Sequence, residues 1–153
     1  MLRISADPID TGLELKQFES RAPGAGGIVT FSGQVRPKAR QGEVNTLFLQ
    51  AYSPMTEHGI EAAIADARSR WILDDVLVLH RIGEMKPGDT IVFVAAAAEH
   101  RRAAFEAADF LMDYLKTEAV FWKKENTAGG THWIEPRDDD YADAARWTKK
   151  ETV

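Results

Sequence analysis

The chain of 153 residues contains no cysteine, and that absence removes whole classes of chemistry. Without thiols there is no disulfide framework, no thiolate zinc site, no cysteine nucleophile and no persulfide on this chain. If the protein handles sulfur, another molecule must bring it. Histidine is scarce as well: His58, His80, His100 and His132 show no paired-ligand spacing, and no His-Glu-x-x-His motif occurs, which argues against a metal hydrolase. No run reaches the ~18 to 20 apolar residues that a membrane-spanning helix needs. The first residues also lack the apolar stretch of a secretory signal, so a cytoplasmic location without membrane binding is the expectation. An excess of positive charge is missing too. With 19 Lys and Arg against 24 Asp and Glu, the net charge of -5 would repel polyanions, and nucleic acid is not an expected partner. An anionic ligand would have to meet a local basic pocket.

What is present supports a folded body. Hydrophobic residues make up 44% of the chain, including four Trp and seven Phe, enough for a single domain over residues 1–153 with a polar stretch from about residue 138. After Asp10 or Thr11 as a cap, Leu13, Leu15 and Phe18 mark a short leading helix, ended by the Gly-rich run 23–27. That run lacks the Lys-Ser/Thr ending of a phosphate loop, and a simple turn is the expected use. Residues 28–36 read as a strand, with Val29, Phe31 and Val35 on one face and Gly33 marking a bulge or a close approach of another backbone, the plain bulge being the simpler use. A basic loop follows, then a second strand from Val44 to Tyr52. Ser53 as cap and Pro54 at the first helical position predict a helix running to Trp71, with Ile60, Ile64, Ala67 and Trp71 as its buried stripe.

Val76–Ile82 and Thr90–Ala97 read as a hairpin around Lys86-Pro87-Gly88-Asp89, a type II turn pattern, with His80 as a structural histidine. A second long helix from about His100 to Thr117 is expected to bury Ala104, Phe105, Ala108, Leu111, Met112 and Leu115. Residues 119–125 and 132–135 read as a further hairpin closed by Pro136, followed to Trp147 by an amphipathic helix or a solvated tail. Strands in pairs, interrupted by two longer helices, give an α+β pattern with an antiparallel sheet rather than a doubly wound one.

Three basic clusters are candidate anion sites: Arg36 with Lys38 and Arg40, His100-Arg101-Arg102, and Lys116 with Lys123 and Lys124. The second opens a helix, where free backbone N–H groups and the positive dipole end already favour anions. Arginines there oppose helix stability, which makes an anion site more credible.

The blocks Thr30–Arg36, His80–Gly83 with Pro87-Gly88-Asp89, Glu99-His100-Arg101 with Ala104-Phe105-Glu106, and Asp113–Lys116 leading to Phe121–Glu125 together resemble the molybdopterin synthase large-subunit family, in unbroken order over roughly residues 26 to 137. The resemblance implies an α+β fold with a hammerhead-like α/β insertion. It also implies a homodimer within a heterotetramer, in which a small ubiquitin-like sulfur carrier brings a C-terminal glycine thiocarboxylate. The substrate it implies is a cyclic pterin phosphate, converted to a dithiolene without a cofactor or metal of the chain's own. By the same resemblance Lys116 and Lys123 are the catalytic lysines, Arg36, His100, Arg101 and Arg137 bind substrate, and Phe31 and Met112 line the site. Val120 departs from the pattern, which has proline there in many members, and puts the approach to Phe121 in question.

Physical reasoning adds a constraint. On one helix, Arg101 and Lys116 lie roughly 22 Å apart along the axis, too far to touch one small substrate. His100 and Arg101 are therefore expected to serve the pocket of a neighbouring protomer. Two close lysines lower each other's pKa, so one of them can carry a proton or act as nucleophile while the other stays charged. Two other readings remain: a binding module that holds a partner's tail by strand addition along Phe121–Glu125, and an RNA-binding domain stacking bases on Phe31, Trp122 and Trp133.

Overall fold

In a computed structural model, the structure describes residues 1–148. Its elements run β1 (Leu2–Ser5), α1 (Thr11–Arg21), β2 (Gly27–Gln34), β3 (Lys38–Ala39), β4 (Gly42–Ala51), α2 (Met55–Arg70), β5 (Asp75–Arg81), β6 (Gly83–Met85), β7 (Thr90–Ala98), α3 (Arg101–Thr117), β8 (Phe121–Thr127), β9 (Gly130–Trp133) and α4 (Asp138–Ala145). The α+β expectation is borne out. Of the polar stretch expected from about residue 138, the first part is helical, and residues 149–153 lie outside the described part.

Two sheets carry the architecture. The first has the order β1-β5-β7-β2, with β5 and β2 antiparallel to β7 and β1 parallel to β5. Both faces of its central strands are covered, which is why residues 76–79 and 92–98 are apolar without alternation. Val76, Val78, Val92, Val94 and Ala96 pack with Ile60, Ile64 and Ala67 of α2 and Ala107, Phe110, Leu111 and Leu115 of α3. Their neighbours Leu77, Leu79, Phe93, Ala95 and Ala97 meet Phe18 of α1 and Ala22 just after it on the other side. Phe18 is fully buried, and Asp10 caps its helix by accepting from the Leu13 N–H at 3.1 Å.

The second sheet has the order β3-β4-β8-β9, with β6 also paired to β4. Its small core is Val35, Val44, Leu47, Leu49 and Met85. The bulge between Gly33 and Gln34 hands the chain over from the first sheet to this one. Val29 therefore packs against the main core and Val35 against the second, while Phe31 stays 45% exposed, so the single face expected for these three does not exist. Gly33 is also a close approach, since a Cβ there would stand 2.7 Å from a Val92 methyl.

Several expectations are revised. The N-terminal strand β1 was missed, although Leu2 and Ile4 alternate with Arg3 and Ser5 and pack on the core. The Met1 ammonium donates to the Val76 carbonyl at 2.8 Å. Ser53 does not cap α2: Pro54 is its cap residue, after a cis Ser53–Pro54 bond, and the Ser53 hydroxyl hydrogen-bonds to Glu57 at 2.5 Å. Phe105 is 55% exposed, and Ala107 and Phe110 take the buried positions on α3 instead. The Gly-rich run does more than turn. A Cβ on Gly26 would lie 2.0 Å from the Glu99 carbonyl oxygen, so glycine lets the start of β2 press against the entry of α3. The β5–β7 hairpin forms as read, with Gly88 at φ +91° and the Asp89 N–H bonded to the Lys86 carbonyl at 3.0 Å, while β6 peels away to join β4.

Thr56, in the first turn of α2, ties the site-bearing strands together. Its hydroxyl accepts from the Tyr52 N–H at 2.8 Å and donates to the Val120 carbonyl at 2.6 Å, and the residue is 1% exposed. Thr56→Val keeps the shape but leaves both partners unpaired in a dry place. The expected loss is about 2 kcal/mol of stability, read as a lower urea midpoint with an unchanged m value.

Candidate active site

The candidate residues gather because α3 ends abruptly. The N–H groups of Glu118 and Ala119 both bond to the Tyr114 carbonyl, at 2.8 and 3.0 Å, and the chain reverses into β8. Lys116 in the last turn of α3 and Lys123 in β8 are thereby brought onto one cavity. Period-two alternation points Phe121, Lys123 and Glu125 inward and leaves Trp122 51% exposed on the outer face. Lys123 stands opposite Leu49 of β4, on the floor of the second sheet.

Two adjoining cavities of about 390 and 350 Å³ share Arg36, Lys116, Lys123 and Arg137 in their walls. They are lobes of one cleft. The first extends past Phe121, Glu125, Ile134 and Pro136 toward Asp140 and Tyr141. The second reaches toward the β2 edge, past Phe31, Gly33 and Met112, with His80 at its wall. In a chain of negative net charge, four cationic side chains around one hollow form the local basic pocket that an anion requires.

The charge states follow from position. Burial is the largest influence on Lys123, and with the neighbouring Lys116 charge it pushes the amine down to about 8, opposed by Asp140. His80 is buried and lowered to about 4, chiefly by desolvation and further by Lys123 and Lys116, while its bond to the Arg81 carbonyl works the other way. Its ring stacks on Phe121, centroids 4.1 Å apart, and Nδ1 lies 3.0 Å from the Arg81 oxygen. A carbonyl only accepts, so Nδ1 carries the proton and Nε2 keeps the lone pair. Asp140, 8% exposed, accepts from the Arg137 backbone N–H at 2.9 Å and from its guanidinium at 3.1 Å.

Of the residues singled out from the sequence, the structure places Arg36, Lys116, Lys123, Arg137, Phe31 and Met112 on the cleft. His100 and Arg101 are not on it: they sit exposed at the opposite end of the unbroken helix α3. Sequence reasoning missed two groups. His80, read as structural, is structurally bonded and yet lines the second lobe. Asp140 lay hidden in a run of three aspartates, two of them exposed; its only signal was a position three residues after Arg137, the spacing of a capping pair.

The alternative readings lose most of their geometry. Strand β8 pairs with β4 along its whole length and with β9 from Lys124 onward, and the Ile134 N–H donates to the Lys123 carbonyl, so only Phe121–Lys123 of the expected Phe121–Glu125 edge is left without a β9 partner. Trp122 and Trp133 touch edge to face at 5.2 Å on the outer face of the second sheet, whereas Phe31 belongs to the other sheet, so no common stacking platform forms. Among the described residues no group of three or more acidic or histidine side chains could hold a metal, and no helix is long and apolar enough to cross a membrane.

Acid should test the buried imidazole. His80 binds a proton less readily folded than unfolded, so between about pH 6.5 and 4 the unfolded chain holds the extra proton and stability falls as pH drops. The loss should approach about 3 kcal/mol. His80→Asn, which can still donate to the Arg81 carbonyl, should flatten that part of the urea-midpoint profile; an unchanged slope would count against the assignment.

Comparison with known proteins agrees with the geometry. The family model described as "MoaE protein" matches residues 4–118. The molybdopterin synthase catalytic subunit of Yersinia pestis is 47% identical over 146 residues, covering 95% of this chain and 96% of that protein. That of Escherichia coli K12 is 45% identical over 144 residues, 94% and 95% of the two chains. Among solved structures, the molybdopterin biosynthesis MoaE protein of Burkholderia ambifaria superposes with a TM-score of 0.81 at 42% identity, covering 96% of this chain and 97% of that one. Molybdopterin synthase from Staphylococcus aureus does so at 0.77 with 27% identity, over 86% and 95%. A full-length likeness in sequence and backbone, with a two-lysine cleft at its centre, leaves one conclusion: the chain belongs to the MoaE family of molybdopterin synthase catalytic subunits.

Proposed function

We propose that the chain is the sulfur-transferring catalytic subunit of a molybdopterin synthase, acting in molybdenum cofactor biosynthesis. It takes sulfur from the C-terminal thiocarboxylate of a small ubiquitin-like carrier and places it on a cyclic pterin phosphate, forming the dithiolene. The observation that carries this reading is the two-lobed cleft with Lys116 and Lys123 at the junction of its lobes. A sulfur donor and an acceptor can enter from different sides and meet at the lysines. The chain has no thiol of its own, so borrowed sulfur is a requirement and not an option. The cytoplasm, where such a carrier and pterin would be met, is the proposed location.

The chemistry needs fixed positive charge and a proton carrier. Thiocarboxylate attack on a carbon of the pterin side chain develops charge on the departing oxygen, which a preorganised cation stabilises without reorganisation. Lys116 at the cleft and the partly buried Lys123 divide that work. With Lys123 lowered to about 8, a fraction of it is neutral near neutral pH and can accept or pass a proton, or attack as an amine. Arg36 and Arg137 suit the phosphate, while Phe31 and Met112 give the ring an apolar wall. The remote His100 and Arg101 fit a dimer in which each protomer lends its α3 entry to the other's cleft, with one carrier subunit per catalytic subunit in a heterotetramer.

Two experiments test this reading. Lys116→Ala should abolish dithiolene formation from thiocarboxylated carrier and cyclic pterin phosphate, followed by product mass, while carrier binding stays measurable; near-normal turnover would refute the role. Mixing inactive Lys116→Ala and Arg101→Ala chains should restore roughly a quarter of wild-type activity, because half of the dimers are mixed and each mixed dimer holds one intact site. No recovery on mixing, with dimers confirmed, would place both residues in the same protomer's site.

A further inference from the structure

Among the described residues Asp140 is the only acidic side chain that is buried, and it is buried in the wall of a cationic cleft. A carboxylate removed from water is costly unless it is paired. Burial alone would raise its pKa, yet the hydrogen bonds from the Arg137 side chain and backbone, with the charges of Arg137 and Lys116, hold it below the ordinary carboxylate value. Its two oxygens do different things. One accepts the Arg137 backbone N–H at 2.9 Å, the ordinary link across a helix start, and would be needed in any helix beginning this way. The other accepts the Arg137 guanidinium at 3.1 Å, which helix capping does not require.

Arg137 needs such an anchor. Its side chain is 67% exposed, so without a partner it would sample many rotamers in solvent and lose that freedom only on meeting a ligand. We propose that Asp140 is a positioning residue of the sulfur-transfer site, whose carboxylate fixes the Arg137 guanidinium at the cleft wall and serves as the resident counter-ion of the Lys116–Lys123 pair. The inference rests on the reading of the cleft as that site, and extends it to a residue argued to act through Arg137 and the lysines. Its physical content is a balance. Lys116 from α3, Arg36 after β2 and Arg137 before α4 contribute positive charge around Lys123, and His80 of β5 stands neutral there at pH 7. Against them stand Asp140, Glu125 on Lys123's own strand and Glu135 ahead of Pro136; the phenol of Tyr141 completes the α4 side. Asp140 is the anion whose field keeps Lys123 from losing its proton still more readily than burial and Lys116 dictate.

Asp140→Asn tests the idea, because the amide oxygen can still accept the Arg137 N–H and preserve the helix start while the charge is removed. Heteronuclear NMR of the lysine side chains in the full chain should show Lys123 titrating below its wild-type midpoint of about 8. With thiocarboxylated carrier, KM for the cyclic pterin phosphate should rise about tenfold, as expected for one loosened charge-assisted contact. The pH–rate profile should move to lower pH whichever form of Lys123 the reaction uses. Asp140→Ala serves as the structural control, since it also removes the cap. If Asp140→Asn leaves the Lys123 titration, KM and the pH profile at wild-type values while Asp140→Ala is damaged, the residue is only a helix cap and the inference is overturned. Absence of dithiolene product from the wild-type chain would sink the sulfur-transfer reading instead, and the lysine titration would still judge the link between Asp140 and Lys123.

Discussion

Everything at the cleft depends on holding the partly buried ammonium of Lys123 in one hollow with the exposed Lys116. Left to itself, the chain would keep Lys116 and Lys123 apart in water, since like charges near low-dielectric walls repel more strongly than in solvent. The helix end at Tyr114–Ala119 and the pairing of β8 between β4 and β9 remove that choice. The work is done by the fold: strands and a helix anchored in two separate cores supply the stability against which the charges are compressed. The Lys123 pKa is depressed first by burial and then by the neighbouring Lys116 charge, with Asp140 opposing.

The same constraint explains why the second sheet exists. The first sheet is covered on both faces by helices over its central strands, and only its end, at Phe31–Gln34, His80 and Val92, opens on the cleft. The bulge after Gly33 diverts the chain into the second sheet, whose inner face is only partly filled, by Val35, Val44, Leu47, Leu49 and Met85. The remaining space is the cleft. It is walled by elements from both sheets and from α3 and α4, so its geometry is set by their relative placement. Thr56, bridging the end of β4 to the approach of β8, is one of the few bonds that fixes this placement directly. Valine at position 120 is compatible with that bond, because it is the carbonyl of residue 120, and not its side chain, that the threonine holds.

Much of this was legible in the sequence because it is written in local periodicity. The buried stripe of α2, the hairpin turn at Lys86–Asp89 and the helix that separates Arg101 from Lys116 all follow from spacing alone. Six of the eight residues singled out from the sequence line one cleft. What the sequence concealed is what depends on three-dimensional neighbours. Phe105 has the spacing of a core residue, yet it lies on the side of α3 that no described element covers. Strand β1 is only four residues long and is held by its pairing with β5, a partner more than seventy residues away. His80 and Asp140 each look ordinary in their own segments and become notable only when β5, β8 and α4 converge.

That last pair shows how one environment can give two titratable groups opposite duties. Desolvation and the lysine charges act together on His80, so it is stripped of charge and left with a lone pair on Nε2. On Asp140 they act against each other: burial favours the neutral acid, but the nearby cations and hydrogen bonds favour the anion, and the anion prevails. A neutral acceptor and a buried anion thus flank the same two lysines from opposite elements. Such an arrangement holds the cleft's net charge above zero, as a phosphate ligand demands, without letting the cations drive one another fully neutral before that ligand arrives. A cleft built from arginines and lysines alone would bind anions, but it would have less control over which amine gives up its proton.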